Sequence, residues 1–121
     1  MFSNAGIFLK VVRGEDKGKG WELSRRQVYT IGRSRRCNLR LTDRSISAVH
    51  AKLQSEEGIW FLADLKSTHG TRVNKQRIQD RKVLFDRDTI QLGRTLLEFR
   101  EYEQLDPADL AEINEGMDIV K

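Results

Sequence analysis

The sequence has one cysteine, two histidines, one proline and no long apolar run. The single thiol of Cys37 excludes an internal disulfide, and neither a second thiol nor a histidine cluster is available for a structural zinc site. We therefore predict no metal and no cofactor. No segment approaches the roughly 20 apolar residues that span a bilayer, and the first residues lack the basic-then-apolar order of a secretion signal. A cytoplasmic location without membrane contact is the expectation.

What the chain does contain is charge, and the charge is unevenly placed. Of its 121 residues, 33% are charged and 38% hydrophobic, which is typical of one folded domain. Residues 105–121 hold five acids and one lysine, a charge of −4. Because the whole chain has a net charge of +4, residues 1–104 have a net charge of +8. A basic body favours anionic partners, which include nucleic acid, a membrane surface or a phosphorylated protein.

Short runs rich in β-branched and aromatic residues recur roughly every 8 to 12 residues, between glycine, asparagine and aspartate. About ten or eleven such runs predict an all-β sandwich, because two packed sheets bury many one-sided strands. The run at 58–64 forms a hairpin with 50–54 around residues 55–57 and should be central, and residues 74–75 predict a tight turn. The predicted strands are 7–12, 21–24, 28–31, 38–41, 50–54, 58–64, 71–73, 76–78, 83–85, 89–92 and 95–100.

Residues 105–121 have a different pattern. Asp106 precedes Pro107, an arrangement that begins helices, and Gly116 would end one. We predict a β domain over residues 1–104, followed by an acidic tail over 105–121 that is a short helix or a linker.

Two loops combine glycine, hydroxyl side chains and cations, which is the composition of a phosphate site. Arg33 follows Gly32 at the end of a predicted strand, and its guanidinium suits phosphate oxygens. Ser47 and Thr68 offer hydroxyl donors from the two loops. The alternatives are a solvated arginine and hydroxyls that merely cap turns.

His50 lies three residues after Ser47, a spacing that raises the question of a catalytic Ser-His pair. No Gly-x-Ser-x-Gly turn surrounds Ser47. We predict that the chain is not an enzyme and that His50 uses both ring nitrogens to tie neighbouring loops together.

A second hypothesis is a basic β domain that binds nucleic acid. It needs aromatic side chains interleaved with basic strands to stack on bases. The relevant aromatics instead fall in core-like runs: Trp21, Trp60, Phe61 and Phe85.

Four segments together resemble the forkhead-associated (FHA) domain family in order and spacing. They are 29–33 (YTIGR), 43–50 (DRSISAVH), 64–74 (DLKSTHGTRVN) and 88–93 (DTIQLG), and the likeness covers residues 7–101. The resemblance implies an eleven-stranded β-sandwich of two antiparallel-type sheets that binds phosphothreonine peptides and mediates phosphorylation-dependent protein-protein interaction.

The resemblance also implies a role for each matching residue. The phosphopeptide-binding residues would be Arg33 and Ser47 on the phosphate, Thr68 in support, and His69 on the peptide backbone. Those of the structural motif would be Gly32, His50 and Gly70.

Two positions depart from the family pattern. The family usually has asparagine where this chain has His69. We therefore expect an altered affinity for the phosphopeptide, and binding that depends on pH in the range where histidine titrates, about pH 6.5. Many relatives place a polar or basic residue where this chain has Ala48. These departures keep open a third hypothesis, an FHA-shaped scaffold that binds partners without phosphate.

The sequence also bears on the partner. No threonine precedes Thr30 and none follows Thr95. We therefore expect a threonine-phosphorylated protein bound in trans, with a Ser/Thr kinase acting upstream.

Overall fold

A computed structural model describes residues 5–24 and 28–103, and this part of the chain consists of strands and turns. It contains no helix long and apolar enough to cross a membrane. The predicted tail, 105–121, lies outside the described residues. The strands are β1 (Ala5–Arg13), β2 (Gly20–Leu23), β3 (Val28–Gly32), β4 (Leu39–Arg40), β5 (Ala51–Glu56), β6 (Ile59–Asp64), β7 (Thr71–Val73), β8 (Gln76–Arg77), β9 (Lys82–Leu84), β10 (Thr89–Leu92) and β11 (Thr95–Glu103).

The eleven strands form two sheets, which confirms the predicted sandwich. One sheet has the order β2-β1-β11-β10-β7-β8 and the other the order β4-β3-β5-β6-β9. The pairs are antiparallel except β3 and β4, which run parallel. The parallel pair arises because the chain doubles back after Gly32, and Asn38 Oδ1 accepts a hydrogen bond from the Thr30 N–H at 2.9 Å. Strand β4 therefore lies beside the end of β3, with Leu39 opposite Ile31 and Arg40 opposite Gly32.

Two-residue turns close three of the hairpins: β5–β6, β7–β8 and β10–β11. Asn74 and Lys75 both have positive φ, 50° and 73°, as the primed turns of tight hairpins require, so the predicted turn is confirmed. Glu57 and Gly58 close β5 onto β6 with φ of 52° and 82°. The hairpin is as predicted, but its turn lies later than residues 55–57, because the two-residue turn lets β5 continue to Glu56.

The core lies between the sheets and is bridged by aromatic rings. Trp60 of β6 and Phe99 of β11 are buried, and their ring centroids are 6.3 Å apart. Strand β6 is an interior strand, flanked by β5 and β9. Its apolar run is nevertheless buried on one face only. Ile59 is 49% exposed, and Phe61 is covered on the outer face by the Arg81 guanidinium, 4.1 Å from its ring centroid.

Phe85 corrects the expectation of a core position, because its side chain is 66% exposed. Strand β9 ends at Leu84, and the Phe85 N–H donates to Asp88 Oδ2 at 2.8 Å. This hydrogen bond begins the turn into β10 and takes Phe85 out of the strand.

Candidate functional site

Three loops meet at one end of the sandwich: the β3–β4 loop (33–38), the β4–β5 loop (41–50) and the β6–β7 loop (65–70). The β4–β5 loop folds back on the end of β3. Its Ser47 carbonyl accepts from the Arg33 N–H at 3.2 Å, and the His50 N–H donates to the Ile31 carbonyl at 2.8 Å. The Leu65 N–H donates to the His50 carbonyl at 2.9 Å, so the β6–β7 loop begins at the same edge.

Gly32 allows the close approach of the first two loops. A methyl group at Gly32 would overlap the carbonyl oxygen of Ala48. That oxygen accepts hydrogen bonds from the Ser34 N–H at 2.9 Å and from Cys37 Sγ at 3.2 Å. The backbone of Ala48 therefore joins the loops, while its small side chain is exposed.

His50 is fully buried and bridges the β4–β5 and β6–β7 loops. Its Nδ1 accepts from the Ser47 N–H at 3.0 Å, and its Nε2 lies 2.9 Å from the Gly70 carbonyl oxygen. A carbonyl can only accept, so Nε2 carries the proton and the ring is neutral. Burial lowers the pKa of His50, and it outweighs the nearby Asp64 charge that favours the protonated ring.

Ser47 and Thr68 join the same two loops at the surface. Ser47 Oγ accepts from the Thr68 N–H at 2.9 Å and lies 3.4 Å from Thr68 Oγ1. The exposed guanidinium of Arg33 is anchored beside them, because its Nε donates to the Ile46 carbonyl at 3.1 Å. No carboxylate within residues 5–24 and 28–103 forms an ion pair with Arg33.

Asp43 holds the β4–β5 loop from inside. Its Oδ1 accepts from the N–H and the hydroxyl of Ser45 at 2.8 and 2.7 Å, and its Oδ2 accepts from the Thr95 hydroxyl at 2.8 Å. Burial alone would raise the pKa of Asp43, but the hydrogen bonds from Ser45 and Thr95 outweigh it and lower the pKa. Ser45 Oγ also accepts from the Arg94 N–H at 2.8 Å, which ties the β10–β11 turn to the loop.

Asp64 holds the β6–β7 loop in the same way. It accepts from the N–H and the hydroxyl of Ser67 and from the Thr71 hydroxyl, the last at 2.7 Å. Burial would raise the pKa of Asp64, but these hydrogen bonds lower it. Neither Asp43 nor Asp64 is among the predicted site residues. The available signal was an aspartate followed two or three residues later by a serine, the spacing of a side chain that caps its own loop.

His69 is exposed at the tip of the β6–β7 loop. It lines a cleft of about 200 Å³ together with Gly70, Arg72, Gln91 and Gly93. Gly70 has a φ of 83°, and a methyl group there would lie 2.7 Å from Arg77 Nε. The positive φ therefore disfavours a side chain at Gly70, and the Arg77 guanidinium would have to move to make room for one.

The loop end presents groups of the kind that bind an anion. Arg33 supplies a permanent charge, and the hydroxyls of Ser47 and Thr68 supply adjacent donors on a frame fixed by His50. Charge-assisted hydrogen bonds of this kind are stronger than neutral ones. The fold thus brings together Arg33, Ser47 and Thr68. His69 follows Thr68 in the sequence and lines the neighbouring cleft with Arg72 and Gln91.

The chain is similar to several characterised proteins, and residues 29–93 match the FHA domain family. The FHA domain-containing protein FhaA of Mycobacterium tuberculosis is 33% identical over 90 residues, which is 74% of this chain and 17% of FhaA. FhaB of the same species is 31% identical over 97 residues, 80% of this chain and 62% of FhaB. The oxoglutarate dehydrogenase inhibitor of Corynebacterium diphtheriae is 32% identical over 99 residues, 82% of this chain and 67% of that protein. The chain thus spans less than two thirds of FhaA and of FhaB.

Solved structures show the same fold. The FHA domain of CT664 from Chlamydia trachomatis superposes with a TM-score of 0.76 at 27% identity, over 80% of this chain and 98% of that one. An FHA domain studied for phosphothreonine-dependent interactions gives a TM-score of 0.73 at 29% identity, over 82% of this chain and 99% of that one. The matched region, the two-sheet sandwich and these relatives together establish that the chain belongs to the FHA domain family.

Proposed function

We propose that this chain is a phosphothreonine-binding module that mediates phosphorylation-dependent protein-protein interaction through its three-loop end. The observation that carries the proposal is the hydrogen bond between Ser47 Oγ and the Thr68 N–H beside the exposed Arg33. Relatives support it. A similar FHA domain has phosphothreonine-dependent interactions, and the FhaA FHA domain, 31% identical, was solved in complex with the intracellular domain of Rv3910.

In the proposed complex, Arg33 and Ser47 contact the phosphate and Thr68 supports it. His69 contacts the peptide backbone beside the phosphothreonine. A hydrogen bond to a charged group contributes about 1.5 to 3 kcal/mol. Three or four such bonds are enough for micromolar affinity, about −8 kcal/mol, once the cost of association is subtracted. The interaction is therefore modest and reversible.

The proposed module is not catalytic at this site. A serine nucleophile is activated when its hydroxyl, and not its backbone N–H, donates a hydrogen bond to the general base. Here His50 Nδ1 accepts a hydrogen bond from the Ser47 N–H, and Nε2 donates one to the Gly70 carbonyl. The buried ring therefore has no free nitrogen with which to activate the Ser47 hydroxyl.

The aromatic side chains argue against nucleic acid as the main ligand. Trp60 is buried in the core, and Phe61 lies under Arg81 on the outer face of the five-stranded sheet. Phe85 is exposed, but it precedes β10 at the end opposite Gly93, which adjoins the loop site. None of these three rings stands beside Arg33 to stack a base. A partner bound in trans, a kinase upstream and a cytoplasmic location remain predictions.

A titration against phosphopeptides tests the proposal. A degenerate library with one fixed phosphothreonine is compared with its phosphoserine and unphosphorylated twins, using the wild type and Arg33→Ala. We expect phosphothreonine peptides to bind, the unphosphorylated twins not to bind, and Arg33→Ala to remove the difference. Equal binding of phosphorylated and unphosphorylated peptides by the wild type would overturn the proposal and favour the phosphate-independent scaffold.

Arg35→Ala is the matched control, because it removes the same charge from the same exposed loop. It should keep phosphothreonine binding within about twofold, since a solvated surface charge adds little. Equal losses in Arg33→Ala and Arg35→Ala would show general attraction of anions to a basic loop instead of a phosphate site.

A further inference from the structure

A single row of side chains crosses five strands on the outer face of the six-stranded sheet. The strand register pairs Arg13 with Leu96, Leu96 with Gln91, Gln91 with Arg72, and Arg72 with Arg77. The residues next to them along the strands, such as Ile90, Leu92, Leu97 and Val73, are buried in the core. With neighbouring strands about 4.8 Å apart, the row is roughly 19 Å long.

The row reaches the loop end at His69, the proposed contact to the peptide backbone. One cleft, of about 200 Å³, is lined by His69, Arg72 and Gln91. A second, of about 300 Å³, is lined by Gln91, Arg13, Lys75 and Arg94. Because the clefts share Gln91, a peptide leaving the loop end along this side would pass over the row. We call the cations of this surface the basic face: Arg13, Arg72, Lys75, Arg77 and Arg94.

The basic face has no acidic partner of its own in the described chain. Within residues 5–24 and 28–103, the ion pairs join Arg81 to Glu56, Arg87 and Arg100 to Asp86, and Arg100 to Glu98. The neighbouring acids are engaged: Glu98 lies 3.6 Å from Arg100, and Asp88 accepts from the Phe85 N–H and from Asn74. Like charges facing each other across strands are destabilising. Arg72 directly opposite Arg77 therefore does not serve the stability of the sheet.

We propose that the basic face selects phosphothreonine-containing partners in which aspartate or glutamate residues flank the phosphothreonine. The inference rests on the proposed function and names the class of partner that the same site takes. An extended peptide advances about 3.3 Å per residue, so roughly six residues beside the phosphothreonine can lie along the row. Exposed ion pairs are individually weak, so several acids act together to give the preference.

Three phosphothreonine peptides of equal length test the inference. One carries three glutamates in the six residues before the phosphothreonine, one carries them in the six residues after it, and one carries glutamines throughout. We expect one of the two acidic peptides, the one whose glutamates lie along the basic face, to bind about three- to tenfold more tightly than the glutamine peptide. The preference should shrink in high salt, because exposed charges are screened.

Two variants locate the effect. Arg72→Gln combined with Arg94→Gln should bring the acidic and glutamine peptides within about twofold of each other, while the glutamine phosphopeptide still binds in preference to its unphosphorylated twin. Lys52→Gln is the control, because Lys52 lies on the outer face of the other sheet and should keep the full preference. Melting curves establish that each variant is folded.

The outcomes separate the two proposals. If the glutamine phosphopeptide binds and its unphosphorylated twin does not, but acidic flanks add nothing, the inference about the basic face is wrong and the proposed function stands. If no peptide depends on phosphorylation, the proposed function itself fails. If duplex DNA binds, Arg72→Gln with Arg94→Gln weakens it, and acidic peptides show no preference, the basic face is a nucleic-acid surface and the inference is overturned.

Discussion

His50 accepts a hydrogen bond at Nδ1 from the backbone N–H of Ser47, at a distance of 3.0 Å. The opposite nitrogen of the same ring donates to the carbonyl of Gly70, 20 residues further along the chain, at 2.9 Å, so one neutral imidazole fixes two loops. The ring is completely buried. The position of the Ser47 hydroxyl relative to Thr68 therefore depends on a residue that no ligand can touch.

His50→Ala should destabilise the protein strongly. The substitution leaves a buried cavity and removes the partners of the Ser47 N–H and the Gly70 carbonyl, which together should cost about 2 to 4 kcal/mol in free energy of unfolding. Urea denaturation measures the loss. His69→Ala is the control, because its exposed ring should change stability by less than about 0.5 kcal/mol. Equal effects of the two substitutions would contradict the bridging role of His50.

The stability of the protein should fall as the pH drops below about 6.5. Burial lowers the pKa of His50 in the folded state, so the unfolded chain takes up its proton first, near the ordinary histidine value of about 6.5. The stabilisation is present above that value and is lost as the pH falls toward the folded pKa. Asp43 and Asp64 also have lowered pKa values, but their contribution is lost only below about 3.8.

Free energies of unfolding at several pH values between 7.5 and 5.0 would measure this slope. His50→Gln should flatten it, since glutamine does not titrate. His69→Gln should leave the slope in place. A wild-type slope that survives His50→Gln would assign the effect to another group.

The strand pattern of this fold is encoded locally and could be predicted from the sequence. Alternation and turn residues locate the strands to within a few residues, and positive φ at Asn74 and Lys75 follows from a two-residue hairpin. The proximity of Gly32-Arg33 to the loops that contain Ser47 and Thr68 could be inferred only from the combination of motifs. Each of these residues alone is equally well explained as an ordinary surface residue. The family resemblance placed the loops together, and the hydrogen bonds between them supply the geometry.

Features that depend on where a strand ends or on distant contacts could not be predicted. Phe85 follows two apolar residues, yet its N–H donates to Asp88 Oδ2 in the turn that follows β9, and the ring is exposed. Asp43 meets Thr95 across 52 residues, and no local pattern indicates that contact. The alignment of Arg72 with Gln91 depends on strand register, which packing of the whole sandwich determines.

Gly32→Ala should move the β4–β5 loop. The added methyl group would overlap the Ala48 carbonyl, which is backbone and cannot rotate away, so we expect a loss of about 1 to 3 kcal/mol in free energy of unfolding together with weakened phosphopeptide binding. Gly18→Ala is a useful comparison. Nothing lies within 4 Å of a methyl group at Gly18, so its cost reflects the positive φ of 98° alone and should leave binding intact. If Gly32→Ala binds normally, close approach at this glycine does not shape the site.

Ser47→Ala should reduce phosphopeptide affinity far more than stability. It removes a proposed phosphate donor and the acceptor of the exposed Thr68 N–H. The expected loss is about 1.5 to 3 kcal/mol in binding, roughly ten- to a hundredfold in Kd, against less than about 1 kcal/mol in unfolding. Isothermal titration and urea denaturation measure the two quantities. Ser34→Ala, in the neighbouring loop, should leave Kd almost unchanged, and an equal loss there would remove Ser47 from the phosphate contacts.

His69→Asn should change how phosphopeptide affinity depends on pH. Asparagine, the residue of the family pattern at this position, cannot be protonated, whereas an imidazole can become a cation. A protonated His69 would add a positive charge beside the phosphate. The second ionisation of the phosphate, near pH 6, affects both proteins equally. The informative quantity is therefore the ratio of the two Kd values, measured with one peptide from pH 5.5 to 8. We expect the wild type to gain affinity relative to His69→Asn as the pH falls. A constant ratio would mean that His69 serves the peptide backbone without using its charge.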